Sequence, residues 1–251
     1  MQLSTGMVRD HRSPAVDDRG DEARPSDTPT VPHAGRLACL IVATIAIGLA
    51  VDRYAGFPGQ VVTSVVVWAV LTALVLKLPR PLATRLIACV WISGLGEMAA
   101  SLAWGLYDYQ FGNVPLFVPP GHALLYLLGL IIAERLPARA AVAIPLAAAP
   151  VVAWLAVSGL DTLSLPLFAI FCVFMTLGRH TRLYATMFVI ALLLELYGTA
   201  LGNWSWRPVA PVLGLATLNP PFAAGVFYCV LDWLVHRRVF GLRGRGARAS
   251  C

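Results

Sequence analysis

The chain has 251 residues, of which 58% are hydrophobic and only 13% are charged, and it carries a formal net charge of +6. A soluble domain has about 25% charged residues, so this composition argues against a soluble protein and predicts an integral membrane protein. The basic residues fall in short connections between apolar runs, which argues against a nucleic-acid-binding surface.

Residues 1–35 are polar and have no apolar periodicity, which predicts a disordered cytoplasmic tail. Residues 36–238 predict an all-α transmembrane domain, and residues 239–251 a basic cytoplasmic tail. The domain contains eight apolar runs, at about 37–51, 61–77, 84–105, 117–133, 140–158, 163–178, 183–203 and 218–235. Each run predicts one membrane-spanning helix in a polytopic bundle.

Basic residues alternate from one connection to the next. The even-numbered connections and the C-terminal tail are basic, whereas the odd-numbered connections contain only Arg53 and Arg207. Because basic residues stay on the cytoplasmic side, this alternation predicts a plasma-membrane protein with both termini in the cytoplasm.

Two segments of the chain resemble each other. The first contains Glu97, the pair Tyr107 and Tyr109, a Pro-Pro sequence and Tyr126; the second contains Glu195, the pair Trp204 and Trp206, another Pro-Pro sequence and Tyr228. This pattern predicts a duplicated four-helix unit with repeats at 36–138 and 139–238. Because each unit has an even number of spans, the repeats would run parallel in the membrane.

Glu97 and Glu195 are the main candidates for chemistry. Each is expected near the middle of the membrane, where an ionisable group is costly and indicates a functional site. Without a basic residue at matching depth, we expect at least one to be protonated and available as a general acid. The alternative is that both glutamates only make hydrogen bonds that join helices.

Asp232 is a third candidate catalytic carboxylate. It is predicted near the cytoplasmic end of the last span, where it would pair with Arg237, extend its side chain to the membrane interface, or reach inward below Tyr228.

Aromatic and polar residues near the glutamates form a predicted substrate-binding cluster. An aromatic belt at the membrane interface would explain several of them, but their faces would also stabilise a carbocation. The candidates are Trp104, Tyr107, Tyr109, His122, Tyr126, Thr199, Asn203, Trp204, Trp206, Asn219 and Tyr228. Nothing in the sequence demands a metal or a cofactor, since it has no phosphate-binding loop, dinucleotide fingerprint or zinc motif.

An intramembrane Glu followed by Gly, an aromatic–x–aromatic pair and a Pro-containing turn resembles integral-membrane carotenoid hydratases and the membrane-bound lycopene and meroterpenoid cyclases. The resemblance covers about 97–126 and 195–228. It implies that Glu97 or Glu195 protonates an alkene, with Asp232 a weaker candidate.

Three functions follow from these features. The first is an enzyme that protonates a double bond of an isoprenoid lipid and so cyclises, hydrates or isomerises it. The second is a proton-coupled transporter or lipid-binding protein with the same glutamates at its centre. The third is a non-catalytic membrane scaffold. In each case the partners are membrane lipids, and the oligomeric state is left open.

Overall fold

The computed structural model describes residues 33–235, so both predicted tails lie almost entirely outside the described residues. Within this range the chain forms eight helices: α1 Ala34–Tyr54, α2 Gly56–Lys77, α3 Arg80–Glu97, α4 Val118–Ala133, α5 Ala138–Val157, α6 Ser164–Leu177, α7 Thr181–Leu201 and α8 Val226–Val235. Four short strands lie in the connections: β1 Tyr107–Tyr109, β2 Trp204–Trp206, β3 Val209–Ala210 and β4 Leu215–Ala216.

Each predicted apolar run coincides with one of these helices, so the all-α bundle is confirmed. Two boundaries were wrong. The last helix begins at Val226 instead of residue 218, because Pro220 and Pro221 interrupt the preceding segment. The third run is not one regular helix, since α3 is followed by a π-helical segment, Met98–Ala103.

Five of the helices are long and apolar enough to cross a membrane: α1, α2, α3 with its π-helical extension, α5 and α7. The apolar helices α4, α6 and α8 are shorter. The surface is also apolar: Leu76 is 80% exposed, Trp91 72% and Val157 91%. Water would disfavour such large exposed apolar side chains, whereas lipid accommodates them. The protein is therefore a helical membrane protein.

Helix α4 lies at the centre of the bundle, packed against α1, α2, α3 and α7. Its sequence is apolar on all sides, and most of its residues are buried, as expected for a helix surrounded by protein. Two polar residues interrupt it, His122 and Tyr126. Because α4 is central, these two side chains are positioned inside the bundle.

The odd-numbered connections meet at one end of the bundle. Asp52 in the last turn of α1 is hydrogen-bonded to Gln110 before α4 and to Asn203 after α7. Thr162 before α6 accepts a hydrogen bond from the backbone of Ala216 in the connection after α7. The connections with most of the arginines lie at the opposite end, which we call the basic end.

Strands β1 and β2 pair antiparallel at the end opposite the basic end, and we call this pair the ribbon. Tyr107 lies opposite Trp206 and Tyr109 lies opposite Trp204, with Asp108 and Ser205 between them. The register is symmetric about that central pair, as parallel repeats related by a two-fold axis require. The duplication of the whole unit stays a prediction.

Candidate functional site

The Glu97 carboxyl lies at the end of α3 and receives hydrogen bonds from both tyrosines of β1. The hydroxyls of Tyr107 and Tyr109 donate to Glu97 Oε2 at 2.6 and 2.7 Å. Burial, together with the neighbouring Glu97 carboxyl, raises the pKa of both tyrosines well above their usual range. The two phenols therefore remain protonated donors, and they occupy one of the two carboxyl oxygens.

The other oxygen, Glu97 Oε1, lies 3.2 Å from His122 Nε2. His122 Nδ1 lies 2.9 Å from the carbonyl oxygen of Val118. Because a carbonyl only accepts, Nδ1 must carry a hydrogen. The contact between Nε2 and Oε1 then needs one further proton, on either atom. Glu97 and His122 thus form a pair that shares a single proton.

The Glu195 carboxyl on α7 is bound in the equivalent way by β2. The indole nitrogens of Trp204 and Trp206 donate to Glu195 Oε2 at 2.8 and 2.9 Å. Each glutamate is therefore in direct contact with the aromatic–x–aromatic pair that follows it in the chain. The two glutamates differ chemically, since Glu97 has a histidine partner and Glu195 has only indole donors among the hydrogen bonds found.

Both glutamates line one internal cavity of about 70 Å³. The sequence alone could not show that the two glutamates lie at the same cavity. Since Glu97 and Glu195 belong to different predicted repeats, the cavity lies between those repeats. Eight described elements contribute to the wall: α1, α2, α3, α4, α7, α8 and the two strands of the ribbon. Apart from the glutamates and His122, the wall consists of apolar, aromatic, small and hydroxyl-bearing residues.

Trp204 reaches Glu195 because α7 has a glycine at position 198. A Cβ atom at Gly198 would lie 1.9 Å from the Trp204 ring, so the indole packs directly on the helix backbone. Glycine at this position therefore sets the position of the indole nitrogen relative to the carboxyl.

Tyr228 completes the cavity wall from α8. Its ring stacks on His122, with centroids 5.4 Å apart and an interplanar angle of 16°. Its hydroxyl is buried and has no hydrogen-bond partner among the described residues. A buried phenol without a partner is costly, so this hydroxyl is available to a water molecule or a ligand in the cavity.

Four of the predicted substrate-binding residues make hydrogen bonds elsewhere in the protein and do not line the cavity. Trp104 donates to the Pro211 carbonyl, Thr199 donates to the Glu195 backbone carbonyl, Asn219 accepts from the Trp206 backbone, and Tyr126 donates to Asp232. Of these, Asn219 supports the site indirectly by fixing the end of β2. None of the four lines the cavity.

Asn203 anchors the ribbon to α1. Its side-chain nitrogen donates to Asp52 Oδ2 at 2.6 Å and to the Leu49 carbonyl at 3.0 Å. Gln110 donates to the same Asp52 oxygen at 2.8 Å. Asp52 is only 1% exposed. Sequence reasoning did not single out Asp52, which lies next to Arg53 at the end of the first apolar run.

Asp232 lies away from the cavity. It is 1% exposed and accepts hydrogen bonds from Tyr126 at 2.6 Å, His180 at 2.9 Å and Tyr184 at 3.2 Å. The expected extension to the membrane interface is therefore wrong, because partners from α7 and α4 enclose the carboxyl. Arg237 lies outside the described residues. Sequence reasoning did not single out His180, which lies between Arg179 and Arg182 in the sixth connection.

Among residues 33–235, no group of three or more His, Cys, Asp or Glu residues is arranged to hold a metal ion. Comparisons with protein-family models, with curated proteins and with solved structures find no significant match to this chain.

Proposed function

We propose that this protein is a membrane enzyme that protonates a carbon–carbon double bond of an isoprenoid-like lipid, with the Glu97–His122 pair as the proton donor. The observation that carries the proposal is the 3.2 Å contact between Glu97 Oε1 and His122 Nε2 at the wall of a largely apolar cavity, from which we infer one shared proton. A poised acid shielded from water is what alkene protonation requires.

The reaction begins when the shared proton forms a new C–H bond with the π electrons of the alkene. The neighbouring carbon becomes a carbocation, and the pair is left as a carboxylate beside a neutral imidazole. The rings of Tyr107, Tyr109 and Trp204 line the cavity, and their π faces would stabilise the positive charge.

The cation is discharged in one of three ways. A second double bond of the same lipid attacks it and closes a ring, a water molecule adds to it, or an adjacent carbon loses a proton. In each case one proton leaves the product or intermediate, and the Glu195 carboxylate is the base proposed to accept it. Glu195 then releases this proton to the medium, so that each turnover takes up one proton and gives one back. Cyclisation and isomerisation conserve the formula, whereas hydration adds one water.

The cavity volume restricts how a lipid binds. Binding sites for whole drug-sized ligands are about 300–1,000 Å³, so about 70 Å³ accommodates only the reacting end of an isoprenoid or a few waters. The remainder of the chain must lie outside. Thr44, Ile45 and Leu194 line the cavity and are only half-buried, so we place the lipid's access route between α1 and α7.

The orientation of the site follows from the distribution of basic residues. We propose that the basic end faces the cytoplasm and that the ribbon lies on the outer side of the plasma membrane. Both termini would then be cytoplasmic.

Proton-coupled transport is the second candidate, because carboxyls from two halves of the chain meet at one cavity. The ribbon argues against it. Backbone hydrogen bonds between β1 and β2 join the two halves at one end, so the halves cannot separate there without breaking them.

The experiment that tests the proposal compares total lipid extracts by mass spectrometry. An isoprenoid-producing host would express wild type, Glu97→Gln, Glu195→Gln or the control Glu134→Gln, with protein levels matched. Glu134 is an exposed glutamate in the α4–α5 connection. We expect a product, isomeric with its precursor or heavier by one water, with wild type and Glu134→Gln only. Identical extracts from all four cultures would refute the enzyme and favour transport or a scaffold.

A further inference from the structure

A second buried polar cluster lies between the cavity and the basic end. Among the described residues, Asp232 accepts hydrogen bonds from Tyr126, Tyr184 and His180, and the alkene-protonation reaction does not use these four residues. Further described groups that face the cluster are Arg85 and Cys89 on α3 and Cys229 on α8, all buried, which interact electrostatically with Tyr126 or Asp232.

On each of two helices, a residue of this cluster lies one helical turn from a residue that lines the cavity. On α4, Tyr126 follows His122 by four residues, and on α8, Asp232 follows Tyr228 by four residues. Four residues of helix correspond to about 6 Å along the axis and return the side chain to the same face. The two polar clusters are therefore stacked one helical turn apart.

Helix α3 runs alongside with the same spacing. Its residues Arg85, Cys89, Ser93 and Glu97 are four apart, and the first three are 8%, 0% and 7% exposed. The bundle thus encloses a column of polar and titratable groups from the basic end to Glu97. Such groups are costly to bury within a membrane bundle, so the column is a candidate functional site.

The two ends of the column differ in their access to water. His180 precedes α7 in the Arg-rich sixth connection, and its side chain is 35% exposed although it touches Asp232. At the other end, the Tyr228 hydroxyl is buried beside the cavity and has no hydrogen-bond partner within residues 33–235. One end can exchange protons with the medium, and the other faces the proton-sharing pair.

We infer that Asp232, His180, Tyr126 and Tyr228 form a proton relay that reloads the Glu97–His122 pair from the basic end. A proton enters at His180 and passes to Asp232 and the Tyr126 hydroxyl. Water molecules carry it from there to the Tyr228 hydroxyl, which has no hydrogen-bond partner among the described residues, and on to the pair. Each hydroxyl gives up one proton as it receives another, so no charge accumulates on a phenol. This inference rests on the proposed function, because it gives the acid its proton source.

The test follows hydrogen–deuterium exchange of the Glu97–His122 pair by rapid-mixing infrared difference spectroscopy of the protein in lipid nanodiscs. The bands lost in Glu97→Gln and His122→Gln assign the pair. We expect Asp232→Asn and Tyr228→Phe each to slow exchange by about tenfold or more, with the band positions unchanged. Tyr228→Phe keeps the ring stacked on His122 and removes only an unpartnered hydroxyl, so its folding is secure if Asp232→Asn is unstable.

Asp108→Asn is the matched control. Asp108 is an exposed carboxylate on the ribbon, 60% exposed, and its loss should leave the exchange rate unchanged. Wild-type exchange rates in folded Asp232→Asn and Tyr228→Phe, or slowing by Asp108→Asn alone, would overturn the relay.

The relay and the enzyme can fail separately. If the lipid extracts show no product but Asp232→Asn still slows exchange, the relay stands and serves another proton-dependent activity. If a product forms and exchange is unaffected, the relay alone is wrong.

Discussion

Tyr109 and Trp204 lie directly opposite each other in the ribbon, yet they donate hydrogen bonds to different glutamates, Glu97 and Glu195. Their rings are in contact, with centroids 6.1 Å apart. One short strand pair therefore fixes both carboxyls relative to each other. Because α3 and α7 come from different halves of the chain, the ribbon is the element that assembles the site.

The packing of Trp204 on α7 predicts that Gly198→Ala is harmful. The added methyl would overlap the indole ring, displace it, and weaken its hydrogen bond to Glu195. We expect product formation to fall by about tenfold or more, together with a shift in tryptophan fluorescence.

Gly96→Ala is the matched control for this change. Gly96 is also a helical glycine next to a candidate glutamate, but a Cβ there has open space around it. Wild-type behaviour is expected from Gly96→Ala. Equal effects of the two substitutions would show that the contact with the indole does not account for the loss.

The Glu97–His122 pair predicts a specific result for His122→Gln. Glutamine still offers an amide to Glu97 Oε1 but has no titratable proton. Product formation should fall by about 100-fold while the melting temperature changes little. His33→Gln, an exposed histidine before α1, serves as the control. Full activity of His122→Gln would mean that Glu97 acts without the histidine.

Whether a feature could be predicted from the sequence depends on how close together in the chain its residues lie. A long apolar run is a strong local signal, so the eight helices could be predicted. Glu97 and Glu195 could also be found, because an isolated carboxyl in such a run stands out. Each aromatic pair was recognisable because it follows its own glutamate within twelve residues.

Contacts between residues that lie far apart in the chain could not be predicted from the sequence. The three-residue strands β1 and β2 are too short for a periodic pattern, so the ribbon was not predicted. Asn203 and Asp52 are separated by 151 positions, and no local pattern joins them. His122 was recognised as a polar residue near the start of α4, but its contact with Glu97 depends on how α4 packs against α3.

The Asp52–Asn203 contact predicts that Asn203→Ala destabilises the protein. The substitution removes two hydrogen bonds, including one to a buried carboxylate. We expect a loss of about 2–3 kcal/mol in the free energy of unfolding, measured by SDS titration in bicelles. Asn113→Ala is the control, because Asn113 makes one hydrogen bond to the neutral Gln60 and should cost about 1 kcal/mol. Equal losses would contradict a special role for Asp52.

The last prediction concerns orientation, and it is tested by labelling introduced cysteines with a membrane-impermeant maleimide. Asp108 on the ribbon and Glu134 at the basic end are both exposed, so cysteines at these positions are accessible to the reagent. The background carries Cys39→Ser, Cys172→Ser and Cys251→Ser, because Cys39 is exposed, Cys172 is half-buried and Cys251 lies outside the described residues. Cys89 and Cys229 are buried and are kept. If the basic end faces the cytoplasm, Asp108→Cys is labelled in intact cells, whereas Glu134→Cys is labelled only after permeabilisation. The reverse pattern would place the ribbon in the cytoplasm. His180 would then face the outside, so the proton relay would draw its protons from the external medium.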